Sequence, residues 1–385
     1  MKNKILTGLL LVLIGGWGSL SAQNVGSNYA RQVNTLIGTK GVGLTSGYLY
    51  PGATYPYGMV QFTPSYFSKR SGFVINQLSG GGCEHMGNFP TFPVKGKLKM
   101  SPDNILNYRI NISEEKGHAG YYEAKVQEDI HAKLTVTERT GMASYEYPAD
   151  QQYGTVIIGG GISATPIEQA AIVITAPNKC EGYAEGGNFC GLRTPYKVYF
   201  VAEFDTDALE SGTWKRDELK PNTTFAEGEY SGVYFTFDVN KKKNIQYKIG
   251  VSYVSVENAR ENLKTENSGW DFLQIQNQAE SKWNHYLGKI EVEGSNPDRT
   301  TQFYTHLYRS FIHPNVCSDV NGEYMGADFR VHKSRSKHYT SFSNWDTYRT
   351  QIQLLSILDP EVASDIVISH QFLSLIHISE PTRPY

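Results

Sequence analysis

Cysteine, long apolar runs and an excess of either charge are all scarce in this chain of 385 residues. The 36 basic and 38 acidic side chains leave a formal net charge of −2, and no basic stripe is present. This balance argues against nucleic acid as a partner. Beyond the first residues no stretch is apolar enough to cross a bilayer, so no membrane span is predicted after removal of the N-terminal segment.

The one apolar run near the N-terminus has the form of a secretory signal. Lys2 and Lys4 precede an apolar segment at residues 5–14, and small residues occupy positions 19–22. We predict that residues 1–22 are a signal peptide and that the mature protein is periplasmic or secreted.

The four cysteines would meet an oxidising environment after export. Cys180 and Cys190 flank the Gly-rich segment EGYAEGGNF, which as a loop would bring them together. We predict a Cys180–Cys190 disulfide, with an unbridged pair as the alternative, and we expect Cys83 and Cys317 to be buried free thiols. The spacing of the four does not resemble a zinc site.

Residues 23–257 carry the pattern of a β-sandwich rather than of a parallel α/β sheet. Short segments alternate apolar and polar residues, and clusters of Gly, Asn, Asp and Pro separate them. The predicted strands include residues 122–126, 133–137, 144–147, 198–204, 233–237 and 245–251.

The spacing of apolar residues becomes helical after residue 258. A helical linker is predicted for residues 258–288, with Ser268 as the helix cap. A short strand is predicted at residues 289–292.

Further helices follow the linker. One begins at Asp298 and ends before Pro314, residues 348–358 form another, and the sequence Asp-Pro-Glu at 359–361 starts the next. From about Ser374 the segment SLIHISEPTRPY breaks the helical pattern and resembles the translation of a sequencing-library adapter. We interpret residues 374–385 as an artefactual tail, with a divergent genuine C-terminus as the alternative.

Two long blocks resemble glycoside hydrolase family 92. The first is NTLIGTKGVGLTSGYLYPGATYPYGMVQFTP at residues 34–64, and the second runs from FYTHLYRSFIHPNVCSDVNGEYMG through SNWDTYRTQIQLLSILDPE. The segment NFCG…PYKVYFVAEFD at residues 188–205 also matches, and the resemblance covers residues 34–373. It implies an N-terminal β-sandwich, a helical linker and an (α/α)6 barrel, of which residues 289–373 would be the start.

The resemblance also implies a function. Members of the family are exo-acting α-mannosidases that invert the anomeric carbon and require Ca²⁺, so mannose-terminated oligosaccharides or glycoproteins are the expected partners. Inversion needs a carboxylic acid and a carboxylate base about 6.5–9.5 Å apart. In the family these groups and most calcium ligands lie on later barrel helices. We therefore assign no catalytic residue, expect the catalytic residues beyond residue 385, and expect this chain alone to be inactive.

One candidate sugar-binding segment is the motif WDTYR, residues 345–349. By the resemblance, Asp346 accepts hydrogen bonds from two adjacent hydroxyls of a terminal mannose. Arg349 would orient Asp346 or donate to the sugar, and Trp345 would pack on the ring. The alternative is an Asp–Arg pair that caps a helix.

Two loops complete the candidate site. The Gly-rich loop at residues 38–47, which includes Gly41, can bring its backbone close to a ligand. Glu84 and His85 follow a Gly triplet and would point into the cleft, where they would bind sugar hydroxyls. Plain turns are the alternative in both places.

Weaker candidates are His313 and the sequence DVNGE at residues 319–323. The latter has acidic residues of the kind that bind calcium but lacks the spacing of an EF-hand, so we interpret it as a turn before a hairpin. Two other functions remain open: a non-catalytic carbohydrate-binding protein, and another (α/α)6 glycosidase or a phosphorylase.

Overall fold

The computed structural model describes residues 28–40, 47–65, 72–103 and 111–379. The signal peptide predicted for residues 1–22 lies outside these ranges. Within them, a mostly β domain precedes a set of helices, which confirms the predicted order of the fold classes.

The first of two large antiparallel sheets has eight strands among the described residues. In spatial order they are β1 (Ala53–Thr54), β2 (Gln61–Pro64), β3 (Phe73–Val74), β4 (Thr91–Lys95), β9 (Tyr153–Gly159), β16 (Ser231–Asp238), β13 (Glu210–Lys215) and β14 (Glu218–Pro221).

The second sheet has nine described strands. In spatial order they are β15 (Phe225–Glu227), β10 (Ile167–Ala176), β11 (Lys179–Phe189), β12 (Leu192–Phe204), β17 (Asn244–Ser252), β8 (Thr140–Glu146), β7 (Ile130–Val136), β6 (Tyr121–Val126) and β5 (Ile112–His118). The six segments predicted from alternation all overlap strands of these two sheets, and two of them run one residue past the strand.

The main core lies between the two sheets. Side chains of β6 alternate between half-buried and buried, because one face of this strand points to the other sheet. Aromatic rings join the sheets across the core: the ring centres of Phe204 and Phe235 are 4.9 Å apart. This burial supplies most of the apolar contact that holds the sandwich together.

Seven helices and two small antiparallel strand pairs are described outside the sandwich sheets. The helices are α1 (Tyr29–Gln32), α2 (Val256–Glu266), α3 (Phe272–Leu287), α4 (Pro297–Ser310), α5 (Asn344–Thr347), α6 (Gln351–Leu358) and α7 (Pro360–Ser379). The strand pairs are β18 (Asn315–Val316) with β21 (Tyr339–Thr340), and β19 (Glu323–Met325) with β20 (Val331–Lys333).

Several helix boundaries differ from the prediction. Asp271, not Ser268, caps α3, since its side chain accepts a hydrogen bond from the Gln274 N–H. Residues 289–292 form no strand, and α7 continues past Ser374. Among the described helices none combines the length and apolarity that crossing a membrane requires.

The sandwich and the helices meet at Tyr57, in the connection between β1 and β2. Its N–H donates to the carbonyl oxygen of Phe311, and its own carbonyl accepts from the Val316 N–H, each at 2.8 Å. Its ring packs edge-on against Tyr286. Residues 309–316, which we call the α4 end, therefore join the helices to the sandwich.

A single glycine in β16 tests the packing of the sandwich. A Cβ at Gly232 would lie 2.2 Å from Cη2 of Trp214 and 2.3 Å from the Ile158 carbonyl oxygen. We expect Gly232→Ala to lower the free energy of unfolding by about 1–3 kcal/mol, because the added methyl group would overpack the core. Gly269→Ala is the control, since a Cβ there meets nothing within 4 Å. Equal denaturant midpoints for the two variants would contradict this packing.

Candidate functional site

The two ends of the Gly-rich loop at residues 38–47, here the glycine loop, lie against each other. Gly38 has a φ of +83°, and a Cβ added at Gly47 would lie 2.9 Å from the Gly38 carbonyl oxygen. The absence of side chains lets the two ends of the loop touch. Gly41 lies outside the described residues, so its contact with a sugar remains a prediction.

His85 lies inside the loop at residues 78–85, here the cysteine loop, and not in a cleft. Its side chain is 3% exposed, and Nε2 accepts from the Leu78 N–H at 2.7 Å. Nδ1 therefore carries the proton and donates to the Cys83 carbonyl oxygen at 2.7 Å. Burial lowers the pKa of His85 below 6.5, so the ring is neutral at neutral pH. The structure gives His85 the task of shaping the loop, in place of the predicted contact with a sugar.

The predicted Cys180–Cys190 disulfide is wrong, because Cys83 is bonded to Cys190. The segment between Cys180 and Cys190, predicted as a loop, is the strand β11. An extended strand advances about 3.3 Å per residue and so holds the two cysteines far apart. Cys180 is a buried free thiol, and so is Cys317, as predicted.

The disulfide fastens the cysteine loop to the turn between β11 and β12. Glu84, next to the bonded Cys83, is exposed. A carboxylate is thus presented to solvent from a loop that is anchored by a covalent bond and by a buried histidine. It can accept hydrogen bonds from a ligand without a change in the loop.

His313, a weak candidate from the sequence, links the helices to the cysteine loop. Its Nε2 accepts from the Ser79 N–H at 2.8 Å, and Nδ1 donates to Oδ1 of Asn315 at 2.6 Å. Burial, together with the nearby His85, lowers the pKa of His313 to about 4. The N–H groups of Leu78 and Ser79 thus bind two neutral histidines from different parts of the chain.

The WDTYR segment forms α5 and the turn that follows it, with its side chains largely exposed. Trp345 is 84% exposed, and the carboxylate of Asp346 accepts from the hydroxyl of Ser343. The guanidinium of Arg349 lies 5.3 Å from the ring centre of the preceding tyrosine. Asp346 and Arg349 are both exposed, so both side chains are accessible to a ligand.

Hydrogen bonds bring the three segments to the α4 end. Gln351, which follows the WDTYR segment by two residues, donates to the carbonyl oxygens of Ser310 and His313 at 3.0 Å each. In the cysteine loop, the Gly80 N–H donates at 2.9 Å to the carbonyl oxygen of Tyr48, next to the glycine loop. Candidate sugar-binding segments from distant parts of the sequence therefore belong to one region. No local pattern in the sequence indicates this proximity.

The turn at residues 319–323 leads into the β19–β20 hairpin, as predicted, and does not fit a calcium site. Asp319 is 2% exposed, and its oxygens accept from Ser252, Asn258 and Asn262 at 2.6–2.8 Å. These donors let the carboxylate join the turn to α2 and β17 instead of holding a cation. Across the described ranges, no three His, Cys, Asp or Glu side chains are grouped so as to bind a metal.

Comparison with known families gives two matches that follow each other along the chain. Residues 32–252 match the glycosyl hydrolase family 92 N-terminal domain. Residues 258–373 match the glycosyl hydrolase family 92 catalytic domain.

Similar proteins share the fold over nearly all of the chain. An uncharacterized secreted glycosidase of Arthroderma benhamiae is 26% identical over 383 residues, covering 89% of this chain and 48% of the relative. A family 92 α-mannosidase of Bacteroides thetaiotaomicron superposes with a TM-score of 0.81 at 26% identity, covering 90% and 50% of the two chains. Its structure with mannoimidazole gives a TM-score of 0.80 at 25% identity, covering 90% and 48%. A family 92 inverting mannosidase of the same bacterium gives 0.78 at 26% identity, covering 89% and 48%. This chain spans about half the length of the relatives it matches.

The disulfide assignment can be checked directly. Peptide mapping without reduction should link Cys83 to Cys190, and alkylation of the unfolded chain should label Cys180 and Cys317. Because the bridge closes a separation of 107 residues, Cys83→Ser should lower the free energy of unfolding by about 2–4 kcal/mol. Cys190→Ser should have the same effect, and a peptide that joins Cys180 to Cys190 would refute the assignment.

The buried histidine predicts acid sensitivity. Between pH 6.5 and about 4 an unfolded histidine binds a proton that folded His313 does not, so stability falls as the pH decreases. We expect His313→Gln to remove about 3 kcal/mol of this loss in denaturant titrations. His131→Gln, at an exposed position on β7, controls for the loss of one histidine. Identical pH dependence of wild type and His313→Gln would rule out a neutral, buried His313.

Proposed function

Because the chain belongs to glycosyl hydrolase family 92, we propose that the protein is an exo-acting, inverting α-mannosidase that releases terminal mannose from glycoprotein N-glycans or mannans. Its support is the family membership and the likeness to an α-mannosidase and to an inverting mannosidase. The proposal concerns the whole protein. This chain spans about half the length of the relatives it matches.

The observation that carries the proposal is the convergence of three polar segments at the α4 end. The stem of the glycine loop, the cysteine loop and the WDTYR segment are joined there by hydrogen bonds of Arg309, His313 and Gln351. Exposed hydrogen-bond acceptors and an exposed indole are the groups that bind a neutral sugar, by its hydroxyls and by its apolar face.

In this proposal each segment has a distinct task. Asp346 accepts hydrogen bonds from two adjacent hydroxyls of the terminal mannose, and Trp345 covers the ring. Arg349 donates to a further oxygen. Glu84 contacts the sugar on the leaving-group side, and the backbone near Gly41 approaches the ligand closely.

The bond-breaking groups are proposed to lie beyond residue 385. Inversion requires an acid that protonates the leaving oxygen and a base that activates water on the opposite face. We also propose Ca²⁺ as the cofactor, with ligands beyond the same point, since the described cluster around Asp319 does not fit this ion. The residues of this chain would bind and orient the terminal sugar and exclude water from one side of it.

Export accompanies this function. The N-terminal signal predicted from residues 1–22 and the secreted relative from Arthroderma benhamiae support a periplasmic or secreted location. Such a location also suits a protein that holds a disulfide. Mannose-capped oligosaccharides and glycoproteins outside the cytoplasm are the proposed partners.

The contact between Asp346 and mannose can be tested on the chain as it stands. Ligand-observed NMR should detect weak binding of methyl α-mannoside, and Asp346→Asn should weaken it about tenfold, because the hydrogen bonds lose their charge. Asp217→Asn, at an exposed turn between β13 and β14, should leave binding unchanged.

The outcome separates the candidate functions. Equal affinity of wild type and Asp346→Asn would exclude the proposed contact. The same preparation should not hydrolyse α-mannosides in the presence of Ca²⁺, because the acid and base are proposed to lie beyond residue 385. Measurable hydrolysis by these 385 residues would refute that placement.

A further inference from the structure

We propose that Arg309, His313 and Gln351 are positioning residues that together fix the stem of the glycine loop, the cysteine loop and the WDTYR segment to the α4 end. Only the experiment that measures sugar affinity rests on the proposed function. The positioning itself follows from hydrogen bonds between described residues, and it assigns the placement of two sandwich loops to the helical half of the chain.

Arg309 closes the stem of the glycine loop. Its guanidinium donates to the carbonyl oxygens of Thr35 at 2.7 Å, Ile37 at 3.4 Å and Tyr50 at 3.1 Å. Thr35 and Ile37 precede the loop and Tyr50 follows it, so one side chain bridges both ends. The planar fork of arginine can span such acceptors, whereas the ammonium of lysine is a single point.

His313 fixes the cysteine loop through one backbone group. Asn315 holds the ring, since its Oδ1 accepts from Nδ1, while its Nδ2 donates at 2.8 Å to the Gly58 carbonyl oxygen in the sandwich. This fixed tautomer leaves Nε2 as an acceptor aimed at the Ser79 N–H. The preceding N–H, of Leu78, is bound by His85 from within the loop.

Gln351 fixes the WDTYR segment. Its amide donates to the carbonyl oxygens of Ser310, the last residue of α4, and of His313, in the segment that follows. Carbonyls at a helix C-terminus have no partner within the helix, so a donor from α6 satisfies them. The α6 start is thereby tied to the residue that binds the cysteine loop.

Sugar affinity depends on this arrangement because several hydrogen bonds must align at once. A shift of the α4 end would move the glycine loop, the cysteine loop and the WDTYR segment relative to one another. If His313 only stabilised α4, its replacement would change amide exchange throughout that helix and would not change the Ser79 amide of the cysteine loop selectively.

Amide exchange followed by NMR on the full chain tests the positioning directly. In His313→Ala, exchange of the Ser79 amide should become about tenfold faster, while the Leu78 amide keeps its rate because His85 still binds it. His313→Gln should restore Ser79 protection, since the glutamine amide oxygen can accept the same N–H. Unchanged Ser79 exchange, or equal acceleration throughout α4, would overturn the proposal.

A measurement on the wild type decides the matter if His313→Ala does not fold. The imidazole nitrogen signals of His313 should show a proton on Nδ1 and none on Nε2. A proton on Nε2 at neutral pH is incompatible with acceptance from Ser79 and would overturn the assignment.

The sugar arm uses Arg309→Lys, with Arg299→Lys at an exposed position on the same helix as control. Affinity for methyl α-mannoside should fall about tenfold in Arg309→Lys only. Equal affinities would overturn the role of Arg309. Absence of binding in every protein would instead count against the proposed function, while amide exchange would still decide the positioning.

Discussion

The pairing of backbone groups at the α4 end is the constraint on which the arrangement of the two halves depends. A helix leaves its last carbonyls without partners, and buried polar groups without partners are costly. Tyr57 from the sandwich and Gln351 from α6 donate to these carbonyls. At this point the helices dock on the sandwich through backbone groups that each side supplies to the other.

Two neutral histidines hold backbone N–H groups of the cysteine loop at this junction. His85 and His313 each donate to an oxygen and accept from a backbone N–H, and burial keeps both rings uncharged near neutral pH. Two carboxylates of the candidate site, those of Glu84 and Asp346, are exposed instead. The junction is thus satisfied internally, and the charged acceptors remain turned toward solvent.

Local pattern predicted the strands, because alternation of apolar and polar residues reports directly which face of a strand is buried. It failed where the partner is distant in sequence. The Cys83–Cys190 bond spans 107 residues, and the Gly-rich segment that suggested a loop is a strand whose neighbours supply the pairing. His85 followed three glycines and was expected to be exposed, yet the Leu78 N–H and the Cys83 carbonyl draw it inward. The contacts of His313 and Gln351 likewise have no local signal, since hydrogen bonds across the fold leave no period in the sequence.

A neutral sugar offers no charge to steer or hold it, so its affinity comes from aligned hydrogen bonds and ring packing. Each mobile loop that must be ordered on binding subtracts from that affinity. The cysteine loop is ordered beforehand from two directions, by the bond to Cys190 on the sandwich side and by His313 on the helical side. Arg309 does the same for the stem of the glycine loop. Because Arg309 and His313 of the α4 end supply the helical share of these restraints, the loops keep their places only when the sandwich and the helices are joined.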